Sequence, residues 1–317
     1  MIERRTLLMA GALAAFGARA AAPAPTTVVL GTATPGGGFP LYGAAFAESI
    51  HEADPSLVVE TRNTKGSTEN IPLIEAGKLD LALVTGEPLH EAIEGIGRPK
   101  ADLRLLCAMY STPGMFVTRG DSPHRTIADL AGKSVAFGAR GSGLVILARY
   151  VLDGLGYDME RDFKAVYLDR AGDGPAMVDD GRVAALWGGG LGWPGFLAVA
   201  KSPSGARFIA PDAAQVKRVL ARHSLLKPMN IPAGTYPGQD GPIASLGSWA
   251  FVIARPSLPE ETAYRLAKAL GRAEPALARR LPQASETTLA NTVAAAARPD
   301  LIHPGVQRAL REAGVLR

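Results

Sequence analysis

The chain has 317 residues, 47% of them hydrophobic and 20% charged, with one cysteine and a formal net charge of +4. That length and balance fit one large or two ordinary globular domains and exclude a disordered chain. The single cysteine excludes a disulfide framework and a cysteine-based metal site, and the scattered basic residues, without interleaved aromatics, argue against nucleic-acid binding.

Residues 1–22 read as a cleavable signal peptide. Glu3-Arg4-Arg5 lies in a basic start, Thr6 to Phe16 is an apolar run too short to span a bilayer, and Ala18-Arg19-Ala20 fits a cleavage site, with Ala20-Ala21-Ala22 as the alternative. Arg4-Arg5 before Thr6-Leu7-Leu8 also resembles a twin-arginine signal. Without residues 1–20 the formal charge falls to +2, because three arginines and one glutamate go with them. The expectation is a periplasmic protein.

Strands and helices then alternate. A strand near Thr27–Gly31 precedes a helix near Leu41–Ala53. A strand near Val58–Arg62 precedes a helix opening at Lys65 and running to about Ala76, and Leu79–Thr85 is the next strand. Its run Leu81-Ala82-Leu83-Val84 suits a parallel sheet covered on both faces. Cys107, inside Leu103–Met109, reads as a buried structural thiol. After Met115–Arg119 a second block follows: a short helix at Thr126–Lys133, a strand at Ser134–Gly138, a helix at Gly141–Leu155, a strand near Ala165–Leu168, a helix near Gly174–Asp180 and a strand at Ala184–Trp187. Gly247–Ala254 reads as a long strand, Pro259–Leu270 as a helix, and Ala276–Leu281 and Gly305–Ala313 as late helices. This βαβ alternation predicts an α/β architecture. The long late strand suggests that the chain returns to its first lobe, with crossings near 113–118 and 243–248. The expected organisation is therefore two lobes, each a sheet flanked by helices, with a ligand cleft between them: 26–115 plus 246–317 as lobe I and 116–245 as lobe II.

Two glycine-rich strand-to-helix turns mark the cleft, Gly31–Phe39 and Gly138–Gly143. Glycine lets backbone approach a ligand closely, and a helix N-terminus offers free N–H groups and a partial positive charge, so such turns suit a carboxylate or phosphate. Gly37, Gly38 and Phe39 are candidates to line the cleft. Ser67, Thr68 and Glu69 are candidates both to cap a helix and to meet a ligand, as are Ser142 and Gly143. Thr85, at the carboxyl end of its strand, is a further contact. Arg140 and Arg119 are candidates for the guanidinium fork that a carboxylate favours, or for solvated charges. Trp187, before Gly188–Gly192 and Trp193, is a candidate cleft wall or core residue.

Four segments resemble the TAXI solute-binding proteins of TRAP transporters: Gly31-Thr32-Ala33-Thr34-Pro35-Gly36-Gly37-Gly38-Phe39-Pro40-Leu41-Tyr42-Gly43; Gly66-Ser67-Thr68-Glu69-Asn70 with Asp80-Leu81-Ala82; Asp129-Leu130-Ala131-Gly132-Lys133 with Gly141-Ser142-Gly143; and Ile231-Pro232-Ala233-Gly234-Thr235-Tyr236 with Gly238-Gln239. The resemblance implies a two-lobed periplasmic-binding-protein-like fold. It further implies a monomer that captures a small organic anion, a dicarboxylate or an amino acid such as glutamate, for integral membrane TRAP permease subunits, without a cofactor. The opening motif is one residue shorter than the commoner form, and Arg140 stands where proline is frequent. A binding component of an ABC importer, a sensor accessory and, remotely, a periplasmic enzyme are the alternatives.

Enzyme motifs fail. Gly132-Lys133-Ser134 lacks the first glycine of a phosphate loop, since Ile127 stands there. Gly190-x-Gly192-x-x-Gly195 matches a dinucleotide fingerprint, but Trp193 and Pro194 occupy the expected helix start. Ser142 is not in a nucleophile elbow. The five histidines are dispersed and read as lone surface residues.

Overall fold

The computed structural model describes residues 25–317; the signal peptide read into 1–22 lies outside the described residues. The chain order is β1 (Thr26–Gly31), α1 (Gly38–Ala53), β2 (Leu57–Arg62), α2 (Ser67–Glu75), β3 (Leu81–Thr85), α3 (Gly86–Glu94) and the long β4 (Arg104–Arg119). Then come β5 (Ser134–Ala139), α4 (Gly143–Leu155), β6 (Lys164–Leu168), α5 (Gly174–Asp179), β7 (Ala185–Gly189), α6 (Pro194–Ala200), β8 (Ala206–Ile209), α7 (Ala213–Arg222) and β9 (Lys227–Ile231). The chain closes with β10 (Ile243–Ala254), α8 (Glu260–Arg280), α9 (Leu289–Ala295) and α10 (Pro304–Glu312).

The strands run in the order β2-β1-β3-β10-β4-β7-β5-β6, with β8 beside β4 and β9 beside β10. β1 is parallel to β2 and β3, and β5 is parallel to β6 and β7. The long strands β4 and β10 are antiparallel to each other and join the two halves. Arg104–Pro113 of β4 pairs with β10, whereas Gly114–Val117 pairs with β7. Likewise Ala250–Ala254 of β10 pairs with β3 and Ile243–Gly247 with β9.

Burial follows this pairing. Every residue of β3 is buried, as a parallel strand covered on both faces requires. One apolar cluster gathers side chains from Val28 to Tyr110 and from Ala250 to Leu310. Beyond the crossing, strand alternation splits the core in two. Phe116, Val135, Phe137 and Trp187 point into one cluster, and Met115, Val117, Ala136 and Leu186 into the other; successive side chains of a strand face opposite ways. Cys107 is fully buried, which pushes its thiol up to about 12, so the reading of it as an inert core residue holds.

Asn70 knots the first half. Its Nδ2 donates to the carbonyls of Thr32 (2.8 Å) and Leu83 (2.7 Å), tying the ends of β1 and β3 through a fully buried side chain. Asn70→Ala is expected to cost about 2–4 kcal/mol, because two buried carbonyls lose their donor; a urea titration at fixed pH measures it, and a loss under 1 kcal/mol would contradict this role.

Several elements differ from expectation. Thr126–Lys133 forms only a 3-10 turn at Ala128–Leu130. Pro259–Leu270 and Ala276–Leu281 are one 21-residue helix, α8, continuing through Pro275. An interior proline costs about 3 kcal/mol, but the buried stripe Ala263, Leu266, Ala267, Leu270, Ala273, Leu277 keeps helical spacing across it. A helix does begin at Pro194, with Pro at its first position and Trp193 as its cap, contrary to the argument against the Gly190–Gly195 motif; proline suits that position since its missing N–H has no partner there. His303 is buried rather than superficial: its Nδ1 accepts from Gly305 N–H (3.2 Å) at the start of α10, its Nε2 meets the Leu258 carbonyl (3.0 Å), and burial lowers its pKa.

Candidate functional site

At the carboxyl ends of parallel strands, where α/β sheets bind ligands, the two halves meet over a cavity of about 50 Å³. Four helices begin at its wall. α1 starts at Gly38 after β1, α2 at Ser67 after β2, α3 directly after Thr85 of β3, and α4 at Gly143 after β5. Their first N–H groups have no acceptor within the helix and carry the positive end of the dipole. The remaining wall is largely apolar, including Phe39, Tyr110, Leu144 and Trp193. Lys65 is the one charged residue on it among the described residues.

The predicted residues divide sharply. Gly37, Gly38, Phe39, Ser67, Thr85, Ser142, Gly143 and Trp187 come together on the cavity. Ser142 also caps α4, its Oγ accepting from Leu144 N–H (3.2 Å). Ser67 caps nothing; α2 is capped by Gly66, and Ser67 Oγ instead accepts from Thr85 N–H (3.2 Å). Trp187 is both wall and core: it is fully buried, donates Nε1–H to the Leu144 carbonyl (2.8 Å) and packs edge-on to Phe116.

The other four stand elsewhere. Thr68 sits on the rim, where its N–H (3.2 Å) and its hydroxyl (3.1 Å) both donate to the Gly141 carbonyl across the cleft. Glu69 turns back to accept from the Lys65 N–H. Arg119 lies at the outer end of β4, bound to both carboxylate oxygens of Asp121 (2.9 and 2.8 Å) and to the Asp179 carbonyl (3.0 Å). Arg140 is exposed, with its guanidinium 4.3 Å over the Tyr167 ring. A residue flanking a ligand-binding turn can point to either side of the strand, and Arg140 points outward. Arg140→Ala is therefore expected to change ligand affinity by less than about 0.5 kcal/mol, as at an exposed site; calorimetry showing a tenfold loss would return it to the site.

The glycines let the two rims touch. A Cβ on Gly36 would lie 2.5 Å from Gly172 Cα, one on Gly141 2.6 Å from the Lys65 carbonyl, and one on Gly143 2.0 Å from Thr85 Oγ1. Gly36 also has φ +84°, a conformation that only glycine adopts freely. Thr34 Oγ1 accepts from Ala171 N–H (3.2 Å) across the same gap.

Two residues that buttress the cavity from behind were not among the predicted site residues. Gln283, buried beside Gly38 and Gly190, has an Nε2 with no hydrogen-bond partner. Tyr236, buried, donates its hydroxyl proton to the Gly190 carbonyl (2.6 Å) and accepts from Trp193 N–H (3.3 Å), which holds the turn after β7. Tyr236 lay within the fourth motif, so a signal for it existed. Gln283 had none, because it arrives from a distant segment after α8.

This architecture is the α/β periplasmic-binding-protein-like fold. The chain belongs to the NMT1-like family, which it matches over residues 30–314. Among solved structures it is similar to a protein of Bordetella bronchiseptica RB50, at 13% identity, 91% coverage of this chain, 98% of that one and TM-score 0.57. A structure described as a periplasmic transporter is similar at 15% identity, 81% and 87% coverage and TM-score 0.55. One described as an L-cystine ABC transporter from Listeria monocytogenes is similar at 13% identity, 83% and 98% coverage and TM-score 0.52.

Proposed function

We propose that this protein is an extracytoplasmic solute-binding protein that holds one small organic anion between two lobes, 26–115 with 246–317 and 116–245, and delivers it to a membrane transporter. The observation that carries the reading is the convergence of four helix N-termini on one cavity between separately packed cores. In this reading the cavity recognises the anion with N–H groups and the hydroxyls of Ser67, Thr85 and Ser142, instead of an arginine. The apolar remainder of the ligand lies against Phe39 and Trp193. In this arrangement the cavity is small, about 50 Å³, so in this reading the cargo is admitted when the rims part. Contacts from both lobes make ligand binding and closure one equilibrium.

The motifs along Gly31–Gly43, Gly66–Asn70 and Gly141–Gly143 favour a TRAP permease as the membrane partner, with the protein acting as a periplasmic monomer. An ABC importer is the second reading, favoured by the Listeria monocytogenes neighbour. A neighbouring gene for a large multi-span permease without an ATPase favours the first; an adjacent ATPase gene favours the second. We favour binding over catalysis because the cavity wall carries one charged side chain, Lys65, beside a buried phenol, Tyr110, and otherwise hydroxyls, backbone and apolar surface.

A thermal-shift screen of the mature protein against amino acids and small carboxylates tests the reading, because a ligand that binds only the native state raises the melting temperature. A shift with one anion supports it; shifts only with cations or neutral sugars would overturn it.

A further inference from the structure

Behind the cavity wall lies a carboxylate that the binding reading does not use. Glu87, in the first turn of α3, is fully buried, and neither carboxylate oxygen makes a well-formed hydrogen bond. The hydroxyls beside it belong to Thr85 and to Ser248 of β10. Thr85 Oγ1 is itself without a partner, and Thr85 forms part of the cavity wall. A buried ionised carboxylate without strong partners is unfavourable and tends to take up a proton.

We propose that Glu87 is a positioning residue that makes anion binding proton-linked, acting through the Thr85 hydroxyl. This rests on the anion-binding reading above. When Glu87 is protonated, its O–H donates to Thr85 or Ser248, and the Thr85 hydroxyl is free to donate into the cavity. When Glu87 is ionised, the Thr85 proton turns back to the carboxylate. The cavity then meets lone pairs and a nearby negative charge, both adverse to an anion. Binding an anion thus favours the protonated form of Glu87.

The charged and titratable groups around Glu87 come from α2, α3 and α4 and from the cavity wall. Burial is the main cause that pushes its pKa up to about 7, against weaker opposing help from Ser248 and Thr85. On its own helix Glu91 raises it further, and the half-buried His90 stands three residues on; from α2 come Glu69, turned back to Lys65, and Glu75, paired to Arg98. From α4 come Arg149, paired to Glu91, and Tyr150, whose pKa burial and Glu91 push up to about 12. β3 and β10 offer only the hydroxyls of Thr85 and Ser248, and Lys65 is the charged residue of the cavity wall.

The test titrates the mature protein with L-glutamate, 2-oxoglutarate and pyruvate by calorimetry at about pH 6 and about pH 8.5, a range in which their carboxylates stay ionised, using wild type, Glu87→Gln and Thr85→Val. Wild type is expected to bind at least one probe and to lose about tenfold or more in affinity at the higher pH. Glu87→Gln, whose amide donates as the protonated acid does, keeps its affinity within about twofold. Thr85→Val, the second variant should Glu87→Gln not fold, binds more weakly and with a smaller pH dependence, since only the charge of Glu87 still acts on the anion. Binding with the same pH dependence in wild type and in the folded variants overturns the proton linkage alone. Binding of no probe by any of the proteins at either pH overturns the anion reading, and the linkage with it.

Discussion

Gly143→Ala is expected to weaken ligand binding by about 1–3 kcal/mol, roughly five- to hundredfold, while leaving each half of the molecule folded. The added methyl would stand 2.0 Å from Thr85 Oγ1 and 2.7 Å from Ser67 Oγ, contacts across the cleft rather than within one core. Gly143 has no positive φ, so the effect is steric and not a matter of backbone strain. The rims relieve the overlap by moving apart, which separates the N–H groups that have to act together on one ligand. Calorimetry with the ligand from the screen, together with a radius of gyration from solution scattering, measures both consequences. Gly241→Ala is the control, because nothing lies within 4 Å of its added methyl. Equal affinity in Gly143→Ala and wild type would show that closure to this degree is not needed for binding.

The second large effect is on stability. Glu87 has a folded pKa of about 7, raised from the ordinary 4.5 chiefly by burial. Below 4.5 both folded and unfolded chains hold the proton, and the group contributes no pH dependence. Between 4.5 and about 7 the unfolded chain releases it while the folded chain keeps it, so stability falls as pH rises, on the order of 3 kcal/mol in all. Above about 7 the loss is complete and the curve is flat again. Glu87→Gln removes that penalty. It is expected to match wild type within about 1 kcal/mol near pH 4.5 and to exceed it by about 2–3 kcal/mol at pH 8. Denaturant titrations at the two pH values decide; a variant less stable than wild type at pH 8 would mean that Glu87 is ionised and satisfied in the folded protein.

Much of the molecule was legible in order of residues. The alternation of β1, α1, β2, α2 and β3 follows from local period and glycine punctuation. So does the gathering of Gly38, Ser67 and Gly143 on one cavity, because strand-to-helix turns of parallel strands share one edge of a sheet. α3 was missed since it follows β3 without any turn, with Thr85 serving at once as strand end and helix cap. β4 was seen only as separate apolar patches, because Pro113-Gly114 interrupts a strand whose pairing merely changes partner there. The arginines were misplaced for a different reason: residue type names a chemistry, but the side of the strand from which a side chain leaves is set by pairing.

By itself, then, the order of residues determined the α/β alternation, the inert thiol, the glycine turns and the helix starts, all consequences of interactions within a few residues. Only the tertiary structure decided that Gly36, Gly141 and Gly143 serve the contact between the two halves, that Arg119 and Arg140 face away, and that Gln283 and Glu87 belong beside the cavity. Those facts depend on side chains from segments far apart in the chain meeting at one place. No local pattern records such a meeting, because the energies that enforce it come from burial and packing across the whole sheet.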